Sequence, residues 1–173
     1  IGAFFVAVLV VYGGIPKLFG GDLGTAMVNV ASARTDLSFL ESFVRGILCN
    51  ILVCIAIWMS FASKSVSGKL LTSFWPVMIF VLCGFEHSIA NMFFIPAGTL
   101  TGAIYDIPAP SIIEFLLNNL LPVVIGNIIG TNIFNICIVI GLPITMLGGV
   151  QIVGFNVIDI AFIAISALLL FFF

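Results

Sequence analysis

Apolar runs separated by short polar breaks lay out this 173-residue chain. Ile1–Tyr12 is an apolar run too short to cross a bilayer alone, as expected of the second half of a helix. Gly13-Gly14, Pro16 and Gly20-Gly21 end it. Gly24–Ser32 is small and mixed, which predicts a short interfacial helix or loop. Thr35 or Asp36 is expected to cap the next helix, with Glu41 in its early turns. Phe43–Ala62 then supplies about twenty apolar-dominated residues, enough for a hydrocarbon core of ~30 Å. Glu41 and Arg45 are four apart and spaced to pair on one helical face near the membrane boundary, and Asn50, in mid-helix, is placed to hydrogen-bond a neighbouring helix.

Ser63–Lys69 is a short polar loop with two lysines and no acid, which the positive-inside rule places in the cytoplasm. Leu70–Cys83 re-enters the membrane, with Pro76 as an expected kink. Gly84–Ser88 interrupts the run, and Ile89–Leu100, itself interrupted by Pro96, leaves on the far side. Together they have the length of one span built from two half-helices. Thr101–Pro110 reads as an external loop. Ser111, with Glu114 at the capping-box position, starts a helix that passes through Leu116 to about Ile140 with Pro122 inside it. Gly141–Gly154 reads as a turn or hairpin region. Asn156–Phe173 reads as a last helix with Asp159 at its interfacial beginning.

Composition fixes the solvent. The chain is 62% hydrophobic and 7% charged, with a mean hydropathy of +1.39. Soluble domains carry roughly 25% charged residues, so this is an all-α polytopic membrane chain. Neither end has a cap, a signal peptide or a polar tail, which reads as a fragment cut inside a transmembrane helix at both ends. A formal net charge of −2 with no Lys/Arg cluster argues against nucleic acid as a partner. Cys49, Cys54, Cys83 and Cys137 lie in apolar runs without CxxC spacing and read as buried free thiols, not a disulfide or metal set. No HExxH, GxSxG, GxGxxG after a strand or haem-type histidine pair is present, so neither an enzyme nor a cofactor is indicated.

The chemistry therefore concentrates at Gly84–Met92, which holds the only histidine, His87, beside Glu86. Inside a bilayer the backbone leaves the helix only where protein or a water-lined cavity satisfies it. An ionisable residue at such a break is a functional-site candidate. An imidazole titrates near ~6.5 in water, so His87 can meet an anion as a hydrogen-bonding group or as a proton donor. The bland alternative is a histidine satisfied in a helix contact. Glu86, about 100° away on a helix, would not share one narrow pore with it. A buried carboxylate needs a partner.

The order Gly-Phe-Glu-His-Ser-Ile-Ala-Asn-Met at 84–92, followed by Phe-Phe-Ile-Pro-Ala-Gly, resembles the signature of the formate/nitrite transporter family. Ala31–Arg34, Arg45–Asn50 and Asn119–Asn127 agree with it, so the resemblance spans about residues 1–130. It implies a pentamer of aquaporin-like protomers, each with six helices around its own pore, carrying formate, nitrite or similar monovalent anions and protons. The family's first two helices, including one broken helix facing the histidine, are absent. What remains looks like the end of helix 3 and helices 4 to 6, with helix 5 broken. The resemblance places His87 at the pore centre and Phe80 at a hydrophobic constriction. It puts Arg34 where the family usually has an anion-attracting lysine that can pair with the glutamate, so an Arg34–Glu86 contact is expected. Arginine keeps the charge but not the shape of lysine. Asn91, one turn after His87, is placed to cap freed backbone or line the path. Asn127 matches an asparagine that joins the lysine in a polar cluster. Positive half-helix ends at the break favour an anion over a cation.

From Gly126 a second resemblance begins. Gly126–Ile136, reading GNIIGTNIFNI, looks like half of a sodium/calcium exchanger repeat. That resemblance implies a chimera, with 1–130 a partial transporter domain and 131–173 a truncated exchanger-like tail. The acidic partner motif is missing, and a hard cation wants carboxylates beyond Asn132 and Asn135. The functions in play are therefore anion transport, a sodium/calcium antiporter fragment, and a non-conducting structural membrane segment.

Overall fold

A computed structural model describes residues 2–146. Helix α1 (Gly2–Tyr12) is followed by a 3-10 segment, Ile15–Gly21, in which φ turns positive at Phe19 and Gly20. Helix α2 (Asp22–Thr35) follows, so Gly24–Ser32 belongs to a regular 14-residue helix. The pair Gly2–Tyr12 and Ile15–Thr35 is bent by 45° and is apolar enough to count as one broken span. Helix α3 (Phe39–Ala62) is a 24-residue span. Its cap is Ser38, not Thr35 or Asp36: Ser38 Oγ accepts from the Glu41 N–H and the Glu41 carboxylate accepts from the Ser38 N–H. Thr35 is unavailable because its hydroxyl turns back to Ala31 O and Ser32 O. With Glu41 held in this box, the expected Glu41–Arg45 pair does not form.

The lysine loop is shorter than expected, because Ser65 caps α4 (Val66–Leu82) by accepting from Gly68 N–H. Helix α5 (Ser88–Tyr105) runs five residues into the stretch expected to be an external loop. Its threonines make that possible: Thr101 donates to Ala97 O, and Thr99 donates across to Pro110 O. Asp106, with φ 56°, ends α5, and the returning chain lies directly over Gly102. Helix α6 (Ile112–Met146) is long and apolar enough to cross a membrane. It contains π-turns at Phe115–Leu120 and Asn135–Gly141. It continues through Gly141 to Met146, where a turn region was expected to begin. The rest of that region, the Asn156–Phe173 helix and Asp159 lie outside the described residues.

Two packing units position the break between α4 and α5. Helices α2 and α5 run antiparallel, with Gly98 under Met27 and Ala31, and α1 joins through Ala7 and Val11 against Ala97. Helices α3 and α6 run in the same direction and touch along their length. Gly126 meets Phe43 and Gly46, Gly130 meets Ile47, and Asn50 donates to Thr131 Oγ1 at 2.8 Å. Small residues allow backbones to approach closely where there is no water to drive association. Exposed Phe74, Trp75, Val77 and Leu82 on α4 give that helix an apolar outer surface.

Candidate functional site

Hydrogen bonds hold most of the freed backbone at the break. Helix α4 ends in a Schellman turn: Phe85 N–H donates to Phe80 O at 2.9 Å, Gly84 N–H to Val81 O at 3.2 Å, and Gly84 has φ +65°. The Gly84 carbonyl accepts from Arg45 Nη1 at 3.4 Å, and the Glu86 carbonyl accepts from Asn127 Nδ2 at 3.1 Å. On the α5 side, Ser88 N–H donates to Asn127 Oδ1 at 3.0 Å and Ala90 N–H to His87 Nδ1 at 3.4 Å. Thus His87 is the N-cap of α5. Ile89 N–H remains the first-turn donor with no hydrogen bond among the described residues. Gly84→Val is expected to cost about 1–2 kcal/mol in chemical denaturation, because a side chain is strained at this φ. Gly84→Asn should cost less, since asparagine tolerates the left-handed region. No clash contributes, because the nearest atom to an added Cβ is Arg45 Nη1 at 3.8 Å.

Accepting at Nδ1 places the proton of neutral His87 on Nε2, so the ring offers a donor on its other edge. One face of the ring stacks on Phe80, with centroids 5.8 Å apart and planes 22° apart. Glu86 and His87 point apart, as expected, but for a different reason. Both lie outside helices, and His87 is in extended backbone, where neighbouring side chains alternate.

Glu86 is 2% exposed and sits in a closed polar knot. Its Oε1 accepts from Arg34 Nη1 at 2.8 Å, the ion pair expected from the sequence. Its Oε2 accepts from the side-chain amides of Asn91 and of Asn119, the latter at 2.9 Å. Arg34 Nη1 also donates to Asn91 Oδ1 at 3.0 Å, and the guanidinium carbon lies 5.2 Å from the centre of the Phe94 ring. Asn91 neither caps freed backbone nor reaches a surface, being completely buried within the knot. Asn127 does not join the arginine. It ties the break to α3 instead, donating to Gly46 O at 2.9 Å.

Two participants were not assigned to the site from the sequence. Asn119 fills the place expected of Asn127; its signals were a polar pair, Asn118-Asn119, inside an apolar run and its place at the start of the matching segment Asn119–Asn127, which gave it no role. Arg45, expected to pair with Glu41, instead reaches the break.

Residues 1–141 match the family described as formate/nitrite transporter. The chain belongs to the formate/nitrite transporter family. It is similar to the "Formate channel FocA" of Haemophilus influenzae, with 35% identity over 144 residues covering 75% of this chain and 50% of that protein. It is also similar to the "Probable formate transporter" of Methanothermobacter thermautotrophicus, 38% identical over 115 residues, 66% of this chain and 40% of that protein. Among solved structures, one titled "Pentameric formate channel with formate bound" superposes with a TM-score of 0.73 at 31% identity, covering 84% of this chain and 60% of that one. The chain spans about half the length of the curated relatives it matches. The family comprises channels and transporters, not enzymes, and the fold is that of its apolar membrane helices.

The match also bears on the tail. It runs to residue 141, through the string at Gly126–Ile136 that resembles an exchanger repeat, and α6 crosses Gly130 as one helix. None of these findings supports an exchanger repeat or a chimera. Asn132 donates to Ile128 O of its own helix, and Asn135 is exposed.

Proposed function

We propose that this chain forms part of a membrane protein that passes formate, nitrite or similar small monovalent anions across the bilayer, with His87 at the centre of the path. The observation that carries this reading is the break itself. Two half-helices end at Gly84–His87, an Ile89 N–H with no partner among the described residues opens the positive end of α5, and His87 caps that end while offering Nε2–H. A helix N-terminus favours an anion through its N–H groups and dipole. Arg34, on Glu86, and Arg45, on the Gly84 carbonyl, supply full positive charges at the break, and Phe80, stacked on His87, narrows the same place. An anion reaching His87 either leaves as it came or, when a proton from bulk water has first converted the imidazole to imidazolium, takes up that proton and crosses as the neutral acid, returning His87 to its neutral form. Both modes use the same donor. Asn91, Glu86 and Asn127 shape this site without touching the anion.

The rest of the proposal follows the family. The full protein assembles as a homopentamer in a bacterial cytoplasmic membrane, with loop 63–69 on the cytoplasmic side. Residues 131–141 belong with the transporter domain, and no cofactor takes part. Proteoliposomes holding the full-length protein should take up labelled formate down its gradient and show no sodium-driven calcium uptake. Calcium uptake without formate uptake would replace this reading with the antiporter one. Neither activity would leave a structural membrane segment.

A further inference from the structure

Two asparagines crowd one oxygen of Glu86, and that bears on the charge of Arg34. A carboxylate oxygen has two lone-pair directions. Both directions on Glu86 Oε2 are filled, one by Asn91 Nδ2 and one by Asn119 Nδ2. The second hydrogen of each amide is also committed, to Asn119 Oδ1 from Asn91 and to Arg34 O from Asn119. Arg34 therefore meets Glu86 through Nη1 and Oε1 alone, not through the two-pronged contact an arginine usually makes with a carboxylate. Its Nε–H is buried and unpartnered, and neither it nor Nη2 makes a hydrogen bond among the described residues.

We propose that Asn119 is a positioning residue that keeps the Arg34–Glu86 pair one-handed, so that part of the guanidinium charge stays available to an anion. A two-handed pair would direct Arg34's positive edge wholly into the protein. The wide turn at Phe115–Leu120 is the local structure that carries Asn119 to this place, where it is completely buried. Such π-turns recur at functional sites. Asn119 thus acts through Glu86 and Arg34, linking α6 to the end of α2 and to the break. This inference rests on the anion-transport reading for its consequence, but not for its geometry.

The test is a four-protein cycle in the full-length protein: wild type, Asn119→Leu, Glu86→Gln and the double variant. Leucine keeps the branched four-atom skeleton of the asparagine side chain but has no amide, so Oε2 loses a donor without a cavity opening. Infrared difference spectra between each protein and its Glu86→Gln counterpart isolate the Glu86 carboxylate stretches. Asn119→Leu should narrow the splitting of the symmetric and antisymmetric bands as Arg34 closes onto both oxygens. In proteoliposomes the half-saturating formate concentration should rise roughly tenfold, the size of a redirected charge-assisted hydrogen bond. With Glu86→Gln already present, the same substitution should change it less than about twofold. A merely structural asparagine would lower the maximal rate equally in both backgrounds. Unchanged carboxylate bands, or an equal effect in both backgrounds, would overturn the inference. Narrowed bands in a protein that carries no formate would uphold the role of Asn119 and count against the transport reading instead.

Discussion

Arg34→Met should lower the stability of the protein by about 3 kcal/mol or more, the usual consequence of stripping a buried ion of its partner. Methionine keeps a long unbranched stem but not the guanidinium that lies over Phe94, so that cation–π contact is lost together with the ion pair. Glu86 would keep its two amide donors but no cation, in a place only 2% exposed. Adding Glu86→Gln to Arg34→Met should recover much of the loss, because a neutral amide needs no counter-charge. Melting in detergent, compared across the two single variants and the double, measures this directly. Additive losses would mean that the ion pair is incidental to folding.

Gly130→Val should have the second largest effect. A Cβ at Gly130 would lie 3.0 Å from both Ile47 C and Ile47 Cα and closer still to Ile47 O, all backbone atoms that cannot rotate away. Overpacking of this kind costs about 1–3 kcal/mol and occasionally more. Its consequence travels one turn along α6, because Asn127 holds Gly46 O, Glu86 O and Ser88 N–H at once. Pushing α6 off α3 therefore loosens the break. Gly130→Val should both lower the melting temperature and raise hydrogen exchange at Ser88. A lowered melting temperature with unchanged exchange at Ser88 would show that the two packing units are independent.

The large features of this site were legible because membrane physics leaves few options. A polar break at Gly84–Ser88 between apolar runs has to be a pair of half-helices with satisfied ends, and a buried Glu86 has to find a cation. Arg34 and Glu86 do meet. Less legible was which neutral side chain goes where. Asn119 and Asn127 sit two turns apart on one helix, and sequence spacing does not reveal that a π-turn carries the first into the knot. Arg45 was misjudged because spacing along one helix suggested Glu41, whereas the Ser38 capping box had a stronger claim on that carboxylate. Helix ends were missed for a similar reason. Thr99 and Thr101 look like loop residues, but each finds a carbonyl within reach and α5 continues past them. A short apolar string shared by two families, at Gly126–Gly130, suggested a change of identity that the family match and the continuous helix do not support.

The proposed function requires that small anions pass His87. Formate flux into proteoliposomes of the full-length protein, measured across pH for wild type and His87→Phe, tests it most directly. Phenylalanine keeps an aromatic ring against Phe80 but removes both the N-cap acceptor and the Nε2 donor. A positioned proton-transfer group contributes typically about 10²-fold or more. The expected result is a fall of roughly that size at acidic pH and the loss of the wild-type pH dependence. Flux and pH profile unchanged by His87→Phe would contradict the account.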